Sequence, residues 1–335
     1  MTGPHSPSRY ALYLGCSVPV RGMNYEMSAR RVAQRLDIEL EDIDGFSCCG
    51  FPAKPLDWQA GLLMAARNLA LAEARGLDIL TLCSACTGTL TEANHRLRED
   101  PELLAWANKE LADLDHSGSP RPGAGQVAGS PRAYRGTVRV RHFGRLLYED
   151  VGVEALREQV VVSADGHWLL EDFRFAPHYG CHYLKPSHLY DGFDDPENPQ
   201  SLDQLIEAAG ARVVRYEDEG QCCGGGILGF DEEMALLMTR QKLDHVAEAG
   251  ADAMVLICPF CAIMYEANQR RVERLSGVKY QLPVLYYPQI LGLAMGFSMD
   301  EMGLKLNRVK PRELVRKLRE TEDVRTASHG EEVSN

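Results

Sequence analysis

SCCGFPAKP (residues 47–55) sets two cysteines side by side and follows them with a glycine, and QCCGGGILG (residues 221–229) does so again. Working outward from each pair, a lone cysteine lies upstream and a Cys-x-x-Cys pair lies downstream. The first copy is Cys16, Cys48, Cys49, Cys83 and Cys86; the second is Cys181, Cys222, Cys223, Cys258 and Cys261. These are all 10 cysteines of the chain. Five cysteines in one order, twice, mark an internal duplication.

The flanks repeat as well. ALYLGC (11–16) and APHYGC (176–181) each lead an apolar run into Gly-Cys, and LDILTLCSAC (77–86) and ADAMVLICPFC (251–261) each lead one into Cys-x-x-Cys. Before the latter lie DWQAGLLMAARNLALAEARG (57–76) and DEEMALLMTRQKLDHVAEAG (231–250), helix-patterned, opened by an aspartate and closed by a glycine. Short strands alternating with helices predict an α/β fold: two pseudo-symmetric α/β halves, each a small, mainly parallel sheet flanked by helices. The cysteines fall at strand C-termini and in the loops after them, the edge of such sheets where ligands bind. The expected organisation is a first domain over 1–114 and a Gly/Pro/Ser-rich flexible loop over 115–137. A second domain follows over 138–310, then a helical and disordered tail over 311–335. The segment VRHFGRLLYEDVGVEALREQV (140–160) reads as a strand end and a helix linking the halves.

Composition narrows the function. The 335 residues are 45% hydrophobic and 25% charged, the profile of a soluble globular protein. A net charge of −12 argues against nucleic acid, which needs clustered Lys and Arg. The basic stretch KLNRVKPRELVRKLRE (305–320) carries acids too and reads as a solvated terminal helix. LPVLYYPQILGLAMGFSM (282–299) is interrupted by two prolines and a glutamine and falls short of a membrane span. No apolar export segment opens the chain, so a cytoplasmic protein is expected, with peripheral contact at the inner membrane face left open. Cytosolic thiols stay reduced, so the cysteines need a purpose other than disulfides.

Soft thiolates select zinc, copper(I) or iron–sulfur clusters. A structural zinc site and an ordinary cubane each need four ligands, and each half supplies five. A vicinal pair places two sulfurs on one turn, and Gly50, Gly224 and Gly225 free the backbone to approach them. Zinc in one half remains open at this point. Buried structural cysteines do not account for a repeated order of five. Thioredoxin-type redox chemistry needs only a Cys-x-x-Cys.

This double pattern resembles the cysteine-rich CCG domains of the HdrB-like family, the B subunits of heterodisulfide reductase. The likeness runs from about residue 9 to 307 and includes PHYGCHYLKPS (177–187) and the 282–298 flank. It implies two noncubane 4Fe-4S clusters: Cys16, Cys48, Cys49, Cys83 and Cys86 for one, and Cys181, Cys222, Cys223, Cys258 and Cys261 for the other. It also implies that a small-molecule disulfide is reduced, or formed, between them. The electrons would come from an HdrC-like iron–sulfur protein fed by an HdrA-like flavoprotein. Reducing a disulfide makes two thiolates, so cations or donors nearby would help. The candidates are Lys54, His178, His182 and Lys185, each weighed against an ordinary structural or solvated role. Two other functions compete. One is the cysteine-rich electron-transfer subunit of a succinate or fumarate reductase, touching lipid through a helix near 287–297 or through the basic tail. The other is a zinc-stabilised scaffold. The lysine-bearing first loop and the glycine-rich second loop predict two unequal sites.

Overall fold

The computed structural model describes residues 8–116, 133–163 and 166–320. β1 (Ser8–Tyr13), β2 (Ile38–Glu41), β3 (Asp78–Thr81) and β4 (Val140–His142) form an all-parallel sheet in the order β2-β1-β3-β4. β5 (Arg174–His178), β6 (Arg212–Val213), β7 (Ala253–Leu256) and β8 (Val284–Tyr286) repeat it as β6-β5-β7-β8. The central strands are apolar on both faces because helices cover both. Leu12, Tyr13, Ile79 and Leu80 are buried in one sheet, and Phe175, Ala176, Val255 and Leu256 in the other. The α/β fold expected of the duplication is the fold observed.

In the first half the main helices are α1 (Met23–Arg35), α2 (Trp58–Ala74), α3 (Ser84–Glu99) and α4 (Pro101–His116). In the second they are α5 (Ser201–Ala208), α6 (Glu232–Glu248), α7 (Pro259–Ala262) and α8 (Tyr287–Ala294). The matched helices α2 and α6 start and stop as their end residues dictate. Asp57 Oδ1 accepts from the Gln59 and Ala60 N–H groups, both at 3.0 Å, and Asp231 Oδ1 from Met234 N–H at 2.9 Å. Gly76 and Gly250 follow the helix ends at φ +65° and +68°, a conformation that favours glycine. The turn after α7 is not a copy of α3: Ile263–Ala267 is wound as a π-turn, whereas α3 continues as a regular helix.

Three expectations are revised. β4 lies beyond the linker yet pairs with β3, so the boundary at 138 cuts the first sheet's closing strand away from it. The linker's far end is tied down: Tyr134 is buried with its OH on Asn94 Oδ1 (2.6 Å). Arg135 N–H and Thr137 N–H both donate to the Glu73 carboxylate (2.8 and 2.9 Å). Residues 117–132, the rest of that loop, lie outside the described residues, as does the tail beyond 320. α8 is buried along its whole length, so residues 287–294 of the 287–297 segment are core and offer no face to lipid or a partner, while Gly296 beyond them is exposed.

The halves share one core because they exchange helices. α1 of the first half packs against α8 of the second, with Tyr25 stacked on Tyr286 at 4.1 Å (interplanar 10°) and Tyr25 OH on Ile257 O at 3.1 Å. In return Tyr148, just after β4, donates to Gln204 on α5 (3.0 Å). The stacked pair adds about 1 kcal/mol beyond its burial. Among the described residues no helix is long and apolar enough to cross a membrane.

Candidate metal centre

Parallel strands deliver their C-terminal ends to one rim, and each half's cysteines sit there. β1 and β5 end three residues before Cys16 and Cys181; β3 and β7 end two residues before Cys83 and Cys258. The vicinal pairs ride on turns that only glycine permits. Gly50 stands at φ +92°, and a Cβ there would lie 2.4 Å from Gly61 O; Gly224 stands at φ +83°, its Cβ 2.9 Å from Ala235 O. The close approach turns backbone donors onto sulfur. Gly224 N–H reaches Cys222 Sγ and Gly225 N–H reaches Cys223 Sγ, both at 3.4 Å. In the first half Gly50 N–H and Phe51 N–H serve Cys48 and Cys49 in the same way.

The ten thiols form one continuous string across both halves. It runs Cys16–Cys48–Cys49–Cys86–Cys83, crosses to Cys258, and continues Cys261–Cys223–Cys222–Cys181. Cys83 and Cys258 hold equivalent places in the two repeats and meet at the junction of the halves. Cys16 is exposed, Cys48, Cys181 and Cys222 are half-buried, and the other six are buried; none is in a disulfide.

Contact and burial polarise the string. Bonds from Cys48 and Cys86 pull Cys49 down to about 4, and bonds from Cys181 and Cys223 pull Cys222 down to about 2. Cys258 is held well below an ordinary thiol by Cys261 and Cys83. Their neighbours are pushed up: Cys16 by its bond to Cys48, Cys86 by those to Cys49 and Cys83, Cys261 by those to Cys223 and Cys258, and Cys181 by its bond to Cys222. Bound metal would supply the positive charge that favours thiolate at these sulfurs. No three or more Cys, His, Asp or Glu side chains among the described residues are grouped to hold a single metal ion. Ligands to a polynuclear cluster attach along its extent, and thiolate is the usual donor.

The four candidate polar residues divide. Lys54 forms an ion pair with Glu92 of α3. The pair and His182 line a cleft of about 280 Å³ with Phe51, Gly88 and Pro186, where the halves meet. His182 Nδ1 is 3.2 Å from Cys181 Sγ, and its ring meets Phe51 edge-on at 5.1 Å. Burial pulls His182 below its ordinary value. His178 is fully buried, and burial, followed by the nearby Lys242 charge, lowers it to about 3. It is therefore neutral, not a cation. Lys185 pairs with Glu197 (3.2 Å) at the surface.

Glu92, Phe260, Asn68 and Lys242 belong to the site but were not singled out from the sequence. Phe260 lies inside the second Cys-x-x-Cys and packs against Phe51 across the halves (5.8 Å). Asn68 and Lys242 occupy the same position of α2 and α6, counted from the capping aspartates. Asn68 accepts from Ser47 N–H (2.9 Å) and donates to Cys48 O (3.2 Å). Lys242 is 1% exposed and donates to Asp218 O and to Glu219 O (3.1 Å), with the Asp218 carboxylate 3.3 Å away. A larger cavity, about 840 Å³, is lined by Phe173, Asp252, Arg270, Arg274, Arg308 and Arg312 at the opposite strand ends. It is about one strand length, roughly 16 Å, from the thiols and contains none of them.

Comparison with known proteins agrees with this geometry. The cysteine-rich CCG domain model matches twice, over residues 10–91 and 175–266. The chain is 37% identical to the B subunit of ferredoxin:CoB-CoM heterodisulfide reductase of Methanosarcina mazei, covering 93% of this chain and 98% of that protein. It is 34% identical to a protein of Archaeoglobus profundus described as like the heterodisulfide reductase B subunit, over 88% and 93% of the two chains. It is 31% identical to the 8-methylmenaquinol:fumarate reductase membrane anchor subunit of Wolinella succinogenes, over 89% and 96%. A crystal structure of a hypothetical protein from Helicobacter pylori shares the fold at TM-score 0.68 and 17% identity. That likeness covers 92% of this chain and 53% of that one, so the chain spans about half of it. With two copies of the domain and this identity over nearly its full length, the chain belongs to the HdrB-like family of heterodisulfide reductase B subunits.

Proposed function

We propose that this chain is the iron–sulfur subunit of a heterodisulfide-reductase-like complex, reducing or forming a small-molecule disulfide where its halves meet. The observation that carries the reading is the single string of ten thiols with Cys83 on Cys258 at its centre. Two separate ligand sets for independent relays would not need that junction. Each half's five cysteines would hold one noncubane 4Fe-4S cluster. Such groups, when bound, supply single electrons and iron sites with affinity for sulfur.

The chain's own residues bind and shield. Phe51 and Phe260 wall the junction beside the buried thiols. The reaction R–S–S–R′ + 2 e⁻ + 2 H⁺ → RSH + R′SH develops negative charge on two sulfurs. Lys54 Nζ, held by Glu92, stands at the cleft to offset that charge, and His182 fixes the Cys181 sulfur through Nδ1. The electrons require a supplier, for which an HdrC-like iron–sulfur protein and an HdrA-like flavoprotein are the partners inferred. Anaerobic preparation with iron and sulfide analysis, followed by reduction of the coenzyme M–coenzyme B disulfide with a viologen donor, tests the reading. About eight irons and turnover are expected if each half holds four; zinc in place of iron overturns it.

A second reading has its own support. The likeness to the Wolinella protein favours electron transfer in a fumarate-reductase-type complex, at the inner membrane face. Arg308, Lys310, Arg312 and Arg319 are exposed along the basic stretch and would meet anionic lipid. Thiol release from a disulfide separates the two: the second reading expects none.

A further inference from the structure

This inference rests on the reading that each half holds an iron–sulfur cluster. Matched cysteine for cysteine along the sequence, the repeats set different polar side chains at equivalent positions. Three residues before the lone cysteine stand Tyr13 in the first half and His178 in the second. Tyr13 OH donates to Ser47 O. His178 is buried, and neither of its ring nitrogens has a hydrogen-bond partner. Four residues after the last cysteine stand Leu90 and Tyr265. Tyr265 sits on the π-turn, fully buried, its ring edge-on to His178 at 4.9 Å and its OH without a partner. Burial, and then Cys223 and Cys261, disfavour its ionisation, so it stays a donor.

A third donor crosses from the other half. Ser84, between Cys83 and Cys86, is buried and its hydroxyl has no partner. A Cβ built on Gly180, beside Cys181, would lie 3.3 Å from Ser84 Oγ. The matching residue is Pro259, which has no hydroxyl or N–H to return. Leaving a buried donor unpaired costs about 1–3 kcal/mol; three such groups stand around the second site, whereas the first half's own unpartnered hydroxyl, Thr91 Oγ1, lies five residues past Cys86. Sulfur at the second site is an acceptor all three can share.

We propose that His178, Tyr265 and Ser84 donate hydrogen bonds to sulfur at the second site, favouring an added electron there with no equivalent at the first. They are positioning residues: each acts through sulfur and none touches substrate. Hydrogen bonds to sulfur set cluster potentials, alongside net charge and solvent exposure. The exposure of Cys16 works in the first site's favour, so isosteric changes that leave exposure alone are the clean probe. The step is the gain of one electron from an external reductant, with no bond made or broken in the protein.

The test is a reductive titration with dithionite of the full-length, iron-loaded chain, followed by EPR, the second-site signal being the one altered in Cys181→Ser. Tyr265→Phe and Ser84→Ala each remove one oxygen. Each is expected to lower the second-site potential by a threefold to tenfold change in the one-electron equilibrium, a tenfold change being ~59 mV. The double variant should fall further, while the first-site potential stays put. Tyr13→Phe, whose bond goes to a backbone carbonyl, should move neither site. Unmoved potentials in iron-loaded Tyr265→Phe and Ser84→Ala, or equal shifts at both sites, overturn the proposal alone. Absence of iron from the unmodified chain overturns the cluster reading and the proposal with it. Should Tyr265→Phe fail to fold, Ser84→Ala carries the test by itself.

Discussion

The two Cys-Cys-Gly turns share a backbone and differ in what stands behind them. Both bend at a positive-φ glycine pressed against a helix carbonyl. Behind the first turn lies neutral Asn68, bonded to Ser47 and Cys48; behind the second lies a buried lysine bonded to Asp218 and Glu219. The comparison teaches what duplication holds fixed. The turn geometry and the order of sulfurs persist because ligand placement depends on them, whereas charge and hydrogen bonding one layer out are free to diverge.

The sharpest way to break the comparison is at that layer. Lys242→Met should cost about 3–5 kcal/mol by leaving the Asp218 and Glu219 carbonyls unpaired and Asp218 with His245 alone, whereas Asn68→Leu should cost about 1–3 kcal/mol. Denaturant unfolding measures both, and equal costs would mean that the charge at 242 has no structural weight. Next come the turns. Gly50→Ala should destabilise by about 2–4 kcal/mol and Gly224→Ala by less, because the clash is 2.4 Å in one and 2.9 Å in the other. Iron analysis should show Gly50→Ala losing metal first.

A pH experiment sharpens the contrast further. Burial lifts Glu266, five residues after Cys261, to about 7, and the first half has Thr91 at that place. A carboxyl whose folded value is raised holds its proton longer when folded, so it favours the native state at low pH. That advantage is lost between roughly 4.5 and 7. Glu266→Gln should therefore stabilise the protein by about 1–3 kcal/mol at pH 8 and leave it unchanged near pH 4. Glu73 in the first half is the opposite case. Burial pushes it up, but its bonds from Thr137 and Arg135 prevail and hold it below the ordinary value. Its contribution fades on acidification, and Glu73→Gln should narrow the stability gap between pH 7 and pH 3. The smallest effect is expected at the exchanged helices: Tyr25→Phe should cost about 1 kcal/mol, and Tyr148→Phe, at a half-buried bond, less.

Much of this was legible in the sequence. The cysteine order, the Asp57 and Asp231 caps and the strands before each Cys-x-x-Cys defined the α/β repeat and its sulfur-bearing rim. The missing part depends on relations between distant segments. Nothing local in VRHFGRLL (140–147) says that its strand returns to the first sheet. The apolar stripe of α8 reads alike whether it faces lipid or, as here, α1. Lys54 and His182 stood near cysteines in the sequence and do meet in one cleft, but Lys185, equally near, turns to Glu197. Proximity in sequence places a residue on the right loop without fixing the direction of its side chain. The unpartnered donors were harder still, because a tyrosine four residues past a cysteine signals nothing until its hydroxyl is seen to be alone.

The exchange of α1 and α8 bears on ancestry. Equivalent halves that trade helices and touch through the equivalent residues Cys83 and Cys258 are related by an approximate two-fold axis, the relation between protomers of an isologous dimer. A single repeat cut from this chain would expose the face that α8 covers and leave half the sulfur string without its other end. It would satisfy both only by pairing with a second copy of itself. Fusion of two such copies fixes the pairing and ends the requirement that the two sides be identical. Only then can a lysine replace an asparagine on one side alone.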